Sequence, residues 1–585
     1  MHKLKVILMT LVLLLSSLPF ITEAEAKGGI VNPNKVYTYK QMVKDINTLK
    51  KAYPDQIQVK VIGKSEYGRK IYAVGLGKGQ ANLFINGSHH AREWMTTSLN
   101  MYMIENYAAA YTKKQKIQGY DAKKILNSTT IWFVPMVNPD GVTLQQYGLK
   151  AFPKKTHKSL IKMNEGSKNF KRWKANGKGI DLNRQYNAGW KEINSPAIPK
   201  YKNFKGYAPE SAAETKAILK FVADINPEMA ISYHSTGKIL YWNWKQPKAN
   251  YKRDYQYAKQ IGKMTGYSLV FAGKNPSGGG FTDWFIHAKQ RPAFTPEISK
   301  AYYETSPPLS EFPGAWKENQ AVGLYAANES AKLKQKRIET ESVKLEKKLK
   351  TLHTKAKGLK TYYYAIIKQE NDVKLDKKHK ALYNSITAES NNLAREVSLL
   401  PAKNRKKLSG YFSKINYYTN KSTLFMDSVS TGENLITAAN KLDLSFTQGK
   451  LDDVTLNEQK VLKQSYANSE NKINKMYGKL VRKLSKSKYV LPAKFTADNT
   501  QLEIDRYTLS LSINDLIKNG KIEDATTSLV KLNELEKKSK TLKQNSPSKY
   551  KTYPKIEEKL IQMKQFIEEE LKNAQEPLTE QLPEE

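Results

Sequence analysis

The 585-residue sequence contains no cysteine. Disulfide bridges, thiolate metal ligands and cysteine nucleophiles are therefore all excluded. Histidine is scarce as well, with eight in the whole chain, so imidazole chemistry is confined to a few positions. Tryptophan is absent beyond Trp316, and most of the 31 glycines also lie in the first 330 residues. Long apolar runs are missing. The run Val6 to Leu15 is too short to cross a bilayer, and no later run reaches the roughly 20 residues that a membrane helix needs. Acidic residues are few beside basic ones, 55 against 97, which leaves a formal net charge of +42.

What is present begins at the N-terminus. Lys3 and Lys5, the apolar run and Ala24-Glu25-Ala26 together read as a secretory signal over residues 1–26. The expectation is a secreted protein, in a cell-wall-associated form or free, with no transmembrane segment. The basic excess is spread over both halves of the chain, so it is not a detachable tail. Such a field favours an anionic partner. With no nucleic-acid-binding motif in sight, an anionic cell-wall polymer is the expected one, met by the basic surface and the C-terminal region. The plain alternative is charge that serves solubility alone.

Composition shifts near residue 330. Before it, strand-like runs (Gln58 to Gly63, Ile71 to Leu76, Leu83 to Asn86, Thr130 to Val137, Met229 to Tyr233, Ser268 to Phe271, Ala293 to Thr295) alternate with helical patterns. That alternation predicts an α/β domain with a mixed central sheet flanked by helices. After it, Leu345, Leu349, Leu352, Ala356, Leu359, Tyr363 and Ile366 form one helical seam, and Ile556, Leu560, Met563 and Ile567 another. An all-α helical-bundle region is expected there. The domain reading is a signal at 1–26, a catalytic domain at 37–330, a Lys-rich helical accessory region at 331–565 and an acidic flexible tail at 566–585. "LPAK" occurs at Leu400 to Lys403 and at Leu491 to Lys494, a thin hint of a repeat, and the tyrosines at 362–364 and 417–418 read as core.

The densest motif is Asn86-Gly87-Ser88-His89-His90-Ala91-Arg92-Glu93-Trp94, directly after an apolar run. His90 and Glu93, three residues apart, can turn toward one point, and an imidazole with a carboxylate suits zinc. His234, at the end of another apolar run, is the candidate third ligand. Glu297, in Ala293-Phe294-Thr295-Pro296-Glu297-Ile298, is a candidate base. A lone HxxE pair is weak evidence; the combination carries the reading. The other histidines look incidental.

With its flanking strings, this combination resembles the carboxypeptidase A-like family of zinc metallocarboxypeptidases. The strings are "GSHHAREW", "NPDG" (Asn138 to Gly141), "GIDLNR" (Gly179 to Arg184), "SYHS" (Ser232 to Ser235), "SGGGFTDW" (Ser277 to Trp284) and "FTPEI" (Phe294 to Ile298). They occur in the family's order over roughly residues 37 to 330. The resemblance implies one zinc ion held by His90, Glu93 and His234, with Glu297 as general base toward a metal-bound water. It also implies that Asp181 orients His90, that Asn183 and Arg184 grip the substrate's terminal carboxylate, and that Arg92 lines the same groove.

The sequence also departs from the family's pattern. Lys174 stands where the family has its oxyanion arginine, with Arg172 nearby as the alternative. The family's carboxylate-closing tyrosine would fall near Asn275, and the pocket-floor position is Thr282. These departures resemble bacterial members, some of which cleave the γ-D-glutamyl–diaminopimelate bond of peptidoglycan stems. The expected function is a secreted zinc carboxypeptidase releasing C-terminal residues from peptides. The alternative is a peptidoglycan stem-peptide peptidase of the same family. A third reading, a surface-binding protein that has lost its activity, would require a missing ligand or base, and none is missing.

Overall fold

Ten strands lie among the described residues: β1 (Ile57–Lys64), β2 (Lys70–Leu76), β3 (Ala81–Gly87), β4 (Lys116–Ile117), β5 (Tyr120–Asp121), β6 (Thr129–Val134), β7 (Met229–Ser235), β8 (Ile239–Tyr241), β9 (Ser268–Val270) and β10 (Ala293–Ile298). The structure is a computed structural model that describes residues 29–273, 276 and 278–575. The expected signal at 1–26, the positions Asn275 and Ser277, and residues 576–585 lie outside the described residues. The chain divides into two units between Arg337 and Ile338, a point inside the helix Val322–Lys357.

In the first unit, eight strands form one mixed sheet in the order β1-β2-β6-β3-β7-β10-β8-β9. The central strands β6, β3, β7 and β10 run parallel, while β1, β2 and β8 join antiparallel to a neighbour. Alternation along the central strands explains why helices cover both faces. Leu83, Ile85, Ile131, Phe133, Met229 and Ile231 enter one core, where the helix Met95–Thr112 packs. Phe84, Trp132, Val134 and Ala230 enter the other, beneath the helices Ala213–Ile225 and Phe281–Lys289. Each fully buried aliphatic or aromatic side chain contributes about 1.5–3 kcal/mol.

The "NPDG" string holds the loops beneath the site. Asn138 Oδ1 accepts from Gly141 N at 2.8 Å and caps the helix Pro139–Tyr147, while its Nδ2 donates to the carbonyls of His89 and Ala175, each at 3.0 Å. A Cβ on Gly141 would stand 2.4 Å from Ala175 O, so only glycine allows this approach. Asp140 accepts from Tyr67 N and pairs with Arg69 at 2.6 Å.

The second unit is helical throughout its described residues, with helices at Lys377–Ser398, Ala402–Thr447, Asp453–Lys475, Lys479–Ser485, Leu491–Lys518, Ile522–Asn545 and Pro554–Gln575. The first expected seam is buried from Leu345 through Tyr363, but the structure then buries Ile367 and leaves Ile366 48% exposed. The cause is a π-helical turn at Thr361–Ala365, whose wider hydrogen-bonded ring shifts the phase by one residue. The two "LPAK" strings sit differently: Pro401 is the N-cap of Ala402–Thr447, whereas Pro492 lies inside a continuous helical run, just after the π turn Lys486–Val490. At Pro401 the missing N–H costs nothing, because an N-cap N–H has no partner within the helix. Residues 566–575, expected in a flexible tail, continue the helix Pro554–Gln575, because Ile567 and Leu571 bury against Ile513 and Leu532. The paired tyrosines are not all core either. Tyr363 is buried, whereas Tyr364 and Tyr417 are 39% and 48% exposed.

Candidate active site

The site lies at the carboxyl ends of the parallel strands, where such sheets leave a crevice. β3 ends at Gly87, and the chain turns through His89 and His90 into a 3₁₀ turn at Ala91–Glu93. Ser88 stands at φ 52, held by Thr96 Oγ1, which accepts its N–H at 2.8 Å. The turn brings His90 and Glu93 to one side. β7 delivers His234 near its end, and β10 delivers Glu297 directly opposite His234 in the parallel register.

His90, Glu93 and His234 converge, each offering a ligand atom within 4.8 Å of the others, and all three are buried. His90 Nδ1 lies 2.7 Å from Glu93 Oε1, His234 Nδ1 lies 2.9 Å from Glu93 Oε2, and the two Nδ1 atoms are 3.1 Å apart. Asp181 Oδ1 is 3.1 Å from His90 Nε2. A proton on Nε2, facing that carboxylate, leaves Nδ1 as a lone-pair donor aimed at one Glu93 oxygen and a second imidazole. Donor atoms gathered this closely can hold a cation among them, and the two-nitrogen, one-carboxylate set fits zinc. Burial alone would raise Glu93, but His90 and His234 outweigh it and hold the carboxyl well below its usual range. Burial lowers His234, which favours the neutral ligand form.

His90 and Glu93 line an open cavity of about 580 Å³ together with Arg92, Lys174, Asn183, Arg184, Thr282 and Glu297, while His234 lies behind them, next to the cavity-lining Ser235. Every residue expected from the sequence in a catalytic or substrate-binding role thus faces one space, and the metal triad adjoins it through His90 and Glu93. Arg172 does not line it. Its guanidinium is bound to Asn164 O and Glu165 and lies 3.9 Å from the ring centre of Tyr201. Lys174 Nζ stands 3.2 Å from Asp181 Oδ2, only 14% exposed. Asn183 is positioned by the helix Phe281–Lys289, since its Oδ1 accepts from Phe281 N at 3.0 Å. Burial and then the Glu93 charge push Glu297 well above the ordinary carboxylate range, with Lys174 and Arg184 acting against them.

Sequence reasoning missed several neighbours. His89, taken as incidental, is fully buried, bonded to Tyr186 Oη at 2.8 Å and stacked on the His234 ring at 5.6 Å, which fixes that ring's plane. Tyr241, Asp283 and Thr295 also line the cavity, as do Tyr302, Tyr303 and Glu304. Tyr241 belongs to a three-residue strand, too short to show a period of two in the sequence.

Residues 42–322 match the zinc carboxypeptidase family. Over 301 residues the chain is 33% identical to "Gamma-D-glutamyl-L-diamino acid endopeptidase 1" of Lysinibacillus sphaericus, covering 51% of this chain and 73% of that one. The chain belongs to the zinc carboxypeptidase family. Carboxypeptidase B of Rattus norvegicus is 25% identical over 295 residues, 47% of this chain and 66% of that one. Among solved structures, that of thrombin activatable fibrinolysis inhibitor is 17% identical and covers 53% of this chain and 79% of that one, at a TM-score of 0.44. Residues 364–494 match a second family, the SbsC C-terminal domain. As a zinc carboxypeptidase family member the protein is a zinc-dependent peptide hydrolase, and His90, Glu93 and His234 are the residues that can hold one ion.

Proposed function

We propose that this zinc peptidase removes the residue at the carboxyl end of a peptide. One observation carries the reading: His90 and Glu93 of the metal triad, Glu297 and the Asn183–Arg184 pair line the same cavity, with His234 beside Glu297 in register. Zinc, when bound by the triad, supplies Lewis-acid charge at the scissile carbonyl. Glu297 takes a proton from the attacking water as the oxygen–carbon bond forms. It then passes that proton to the leaving nitrogen as the carbon–nitrogen bond breaks. Lys174 offers positive charge to the oxyanion, as a point charge in place of a guanidinium fork. Arg184 and Asn183 bind the terminal carboxylate and set the bond in register with Glu297.

A second reading, cleavage of a γ-D-glutamyl–diamino acid bond in a peptidoglycan stem, is favoured by the 33% identity to the endopeptidase of that name. It would suit an exported, wall-associated protein whose basic second unit holds an anionic polymer. Mass spectrometry of products, from ordinary peptides and from a γ-D-glutamyl–diaminopimelate stem peptide, separates the two. Single residues lost only from ordinary peptides support the first reading. Cleavage of the stem alone replaces it with the second.

A further inference from the structure

Three stretches of the second unit carry no Asp or Glu: residues 347–369, 397–426 and 471–497. The fold brings parts of all three together on one surface. The π turn Thr361–Ala365 presents Tyr364, the helix Ala402–Thr447 presents Tyr417, Tyr418 and Lys421, and Tyr477 lies in the bend between the helices Asp453–Lys475 and Lys479–Ser485. Tyr364 and Tyr477 meet edge to face with ring centres 5.1 Å apart, and Tyr417 and Tyr418 do the same at 5.2 Å. Gly478 allows the first of these contacts: it stands at φ +95, and a Cβ there would lie 2.6 Å from the Tyr364 ring.

Lysines link the rings. Lys360 Nζ lies 5.3 Å from the centre of Tyr364 and 5.9 Å from that of Tyr477, and Lys421 Nζ lies 5.8 Å from those of Tyr417 and Tyr477. Two cations thus share the Tyr477 ring. Lys414 lies 5.6 Å from the centre of Tyr411. Among the described residues none of these three lysines reaches a carboxylate, whereas Lys355 and Lys407, from the same stretches, pair with Glu389 and Glu346. The field is positive enough to be felt by His353, whose ring lies 5.9 Å from Tyr418: burial, then the charges of Lys357 and Lys414, lowers its pKa. Tyr364 and Tyr417 are exposed. At exposed sites an ammonium over a ring is held weakly, so an arriving anion can draw it away. Cations and apolar rings are arrayed here without an anion of their own.

We infer that this surface binds an anionic glycan, a polymer of pyranose rings that bear acidic groups. Lys360, Lys414 and Lys421 receive the anions, while the C–H faces of the sugars pack on Tyr364 and Tyr417. The residues call for both features. An uncharged glycan would leave the lysines without partners, and a bare phosphate chain would have no use for the rings. Single-stranded nucleic acid stacks its bases on flat aromatic platforms and on arginine planes. Here the rings meet edge to face with ammonium groups over them, and the arginines of these stretches, Arg405 and Arg482, donate to the carbonyls of Leu400 and Met476. Such a surface gives the anionic polymer of the second reading above a place and a chemistry. Binding is measured without a peptide, so its failure leaves the peptidase readings standing, and their failure leaves it standing.

The test is equilibrium binding of the full chain, by interferometry, to four polymers of matched length: dextran sulfate, plain dextran, inorganic polyphosphate and single-stranded oligodeoxythymidylate. Dextran sulfate should bind about 10-fold more tightly than polyphosphate at equal charge, the scale of one aromatic contact, and far more tightly than dextran. Lys360→Gln combined with Lys421→Gln should weaken dextran sulfate binding by about 10-fold and flatten its salt dependence. The same exchange at Lys44 and Lys51, exposed on the helix Tyr39–Ala52 of the first unit, should not. Tyr417→Ser should narrow the preference for dextran sulfate over polyphosphate while leaving polyphosphate binding as it was. Equal binding of dextran sulfate and polyphosphate overturns the inference, as does tighter binding of the oligonucleotide or no binding of dextran sulfate at all. Equal losses from the two pairs of lysine exchanges overturn it too, because the whole basic chain would then be acting and not this surface.

Discussion

Lys174 Nζ lies 3.2 Å from one oxygen of Asp181, and the other oxygen of the same carboxylate lies 3.1 Å from His90 Nε2. The cation facing the substrate and the imidazole facing the metal therefore share one buried anion. Burial would raise Asp181, but Lys174 and His90 outweigh it and hold the carboxyl well below its usual range. Lys174→Met should lower kcat/KM by about 10²-fold, the cost of one oxyanion donor, while zinc stays bound. A fall in zinc affinity with normal kcat at saturating zinc would instead make Lys174 a positioning residue for His90.

Glu297→Gln keeps the shape of the side chain and removes its capacity as a base. Turnover should fall by at least about 10²-fold, with one zinc per chain by elemental analysis. Near-normal turnover in that variant would remove Glu297 from the mechanism.

His234→Ala should lose stoichiometric zinc, since only two ligands remain. Chelation of the natural protein should lower the melting temperature of the first unit by a few degrees, because the ion binds the folded triad and not the unfolded chain. An unchanged melting profile after complete zinc removal would contradict this coupling.

Glu214 is fully buried, bonded by Asn176 Nδ2 at 3.1 Å and close to Asp140 and Glu66. Burial, then the Asp140 charge, pushes its carboxyl up to about 8. Between its unfolded value near 4.5 and about 8, the folded protein holds a proton that the unfolded chain has lost. Stability contributed by this group is thus complete below 4.5 and declines as pH rises toward 8, by at most about 1.4 kcal/mol per pH unit. Denaturant titrations at several pH values should show a shallower decline for Glu214→Gln. A parallel slope in that variant would assign the effect elsewhere.

His379 gives the opposite sign in the second unit. It is fully buried, its Nε2 is 2.6 Å from Ser422 Oγ, its Nδ1 has no partner, and its ring stacks on Tyr362. Burial lowers its pKa below 6.5. The unfolded chain therefore binds the proton first, and the second unit should lose stability as pH falls below about 6.5. His379→Gln should flatten that acid limb in circular dichroism melts; an unaltered limb would exclude His379 as its source.

What the sequence revealed and what it concealed divide along physical lines. His90, Glu93, His234 and Glu297 were legible because each follows or ends an apolar run, and a strand end is where side chains reach a crevice. The sheet was legible in the same runs, since central strands covered on both faces have little polar content. Tyr241 and Asp283 were not legible as cavity-lining residues, because they meet there only when β8 lies against β10 and the helix Phe281–Lys289 starts beside them. The stack of His89 on His234 was concealed for the same reason. In the second unit, the spacing of apolar residues located the helices, but one π turn was enough to exchange Ile366 for Ile367 at the core.

Strand β10 has a consequence for how this protein can fail. Glu297 stands level with His234 on one side and with Ile239 on the other. A slip of one residue would keep much of the hydrogen-bonded ladder yet turn Glu297 to the opposite face of the sheet. Such a molecule could still be compact and helical by spectroscopy while incapable of turnover. The active fraction of a preparation, counted by titrating sites, is thus a measure of folding fidelity that optical probes of secondary structure would overlook.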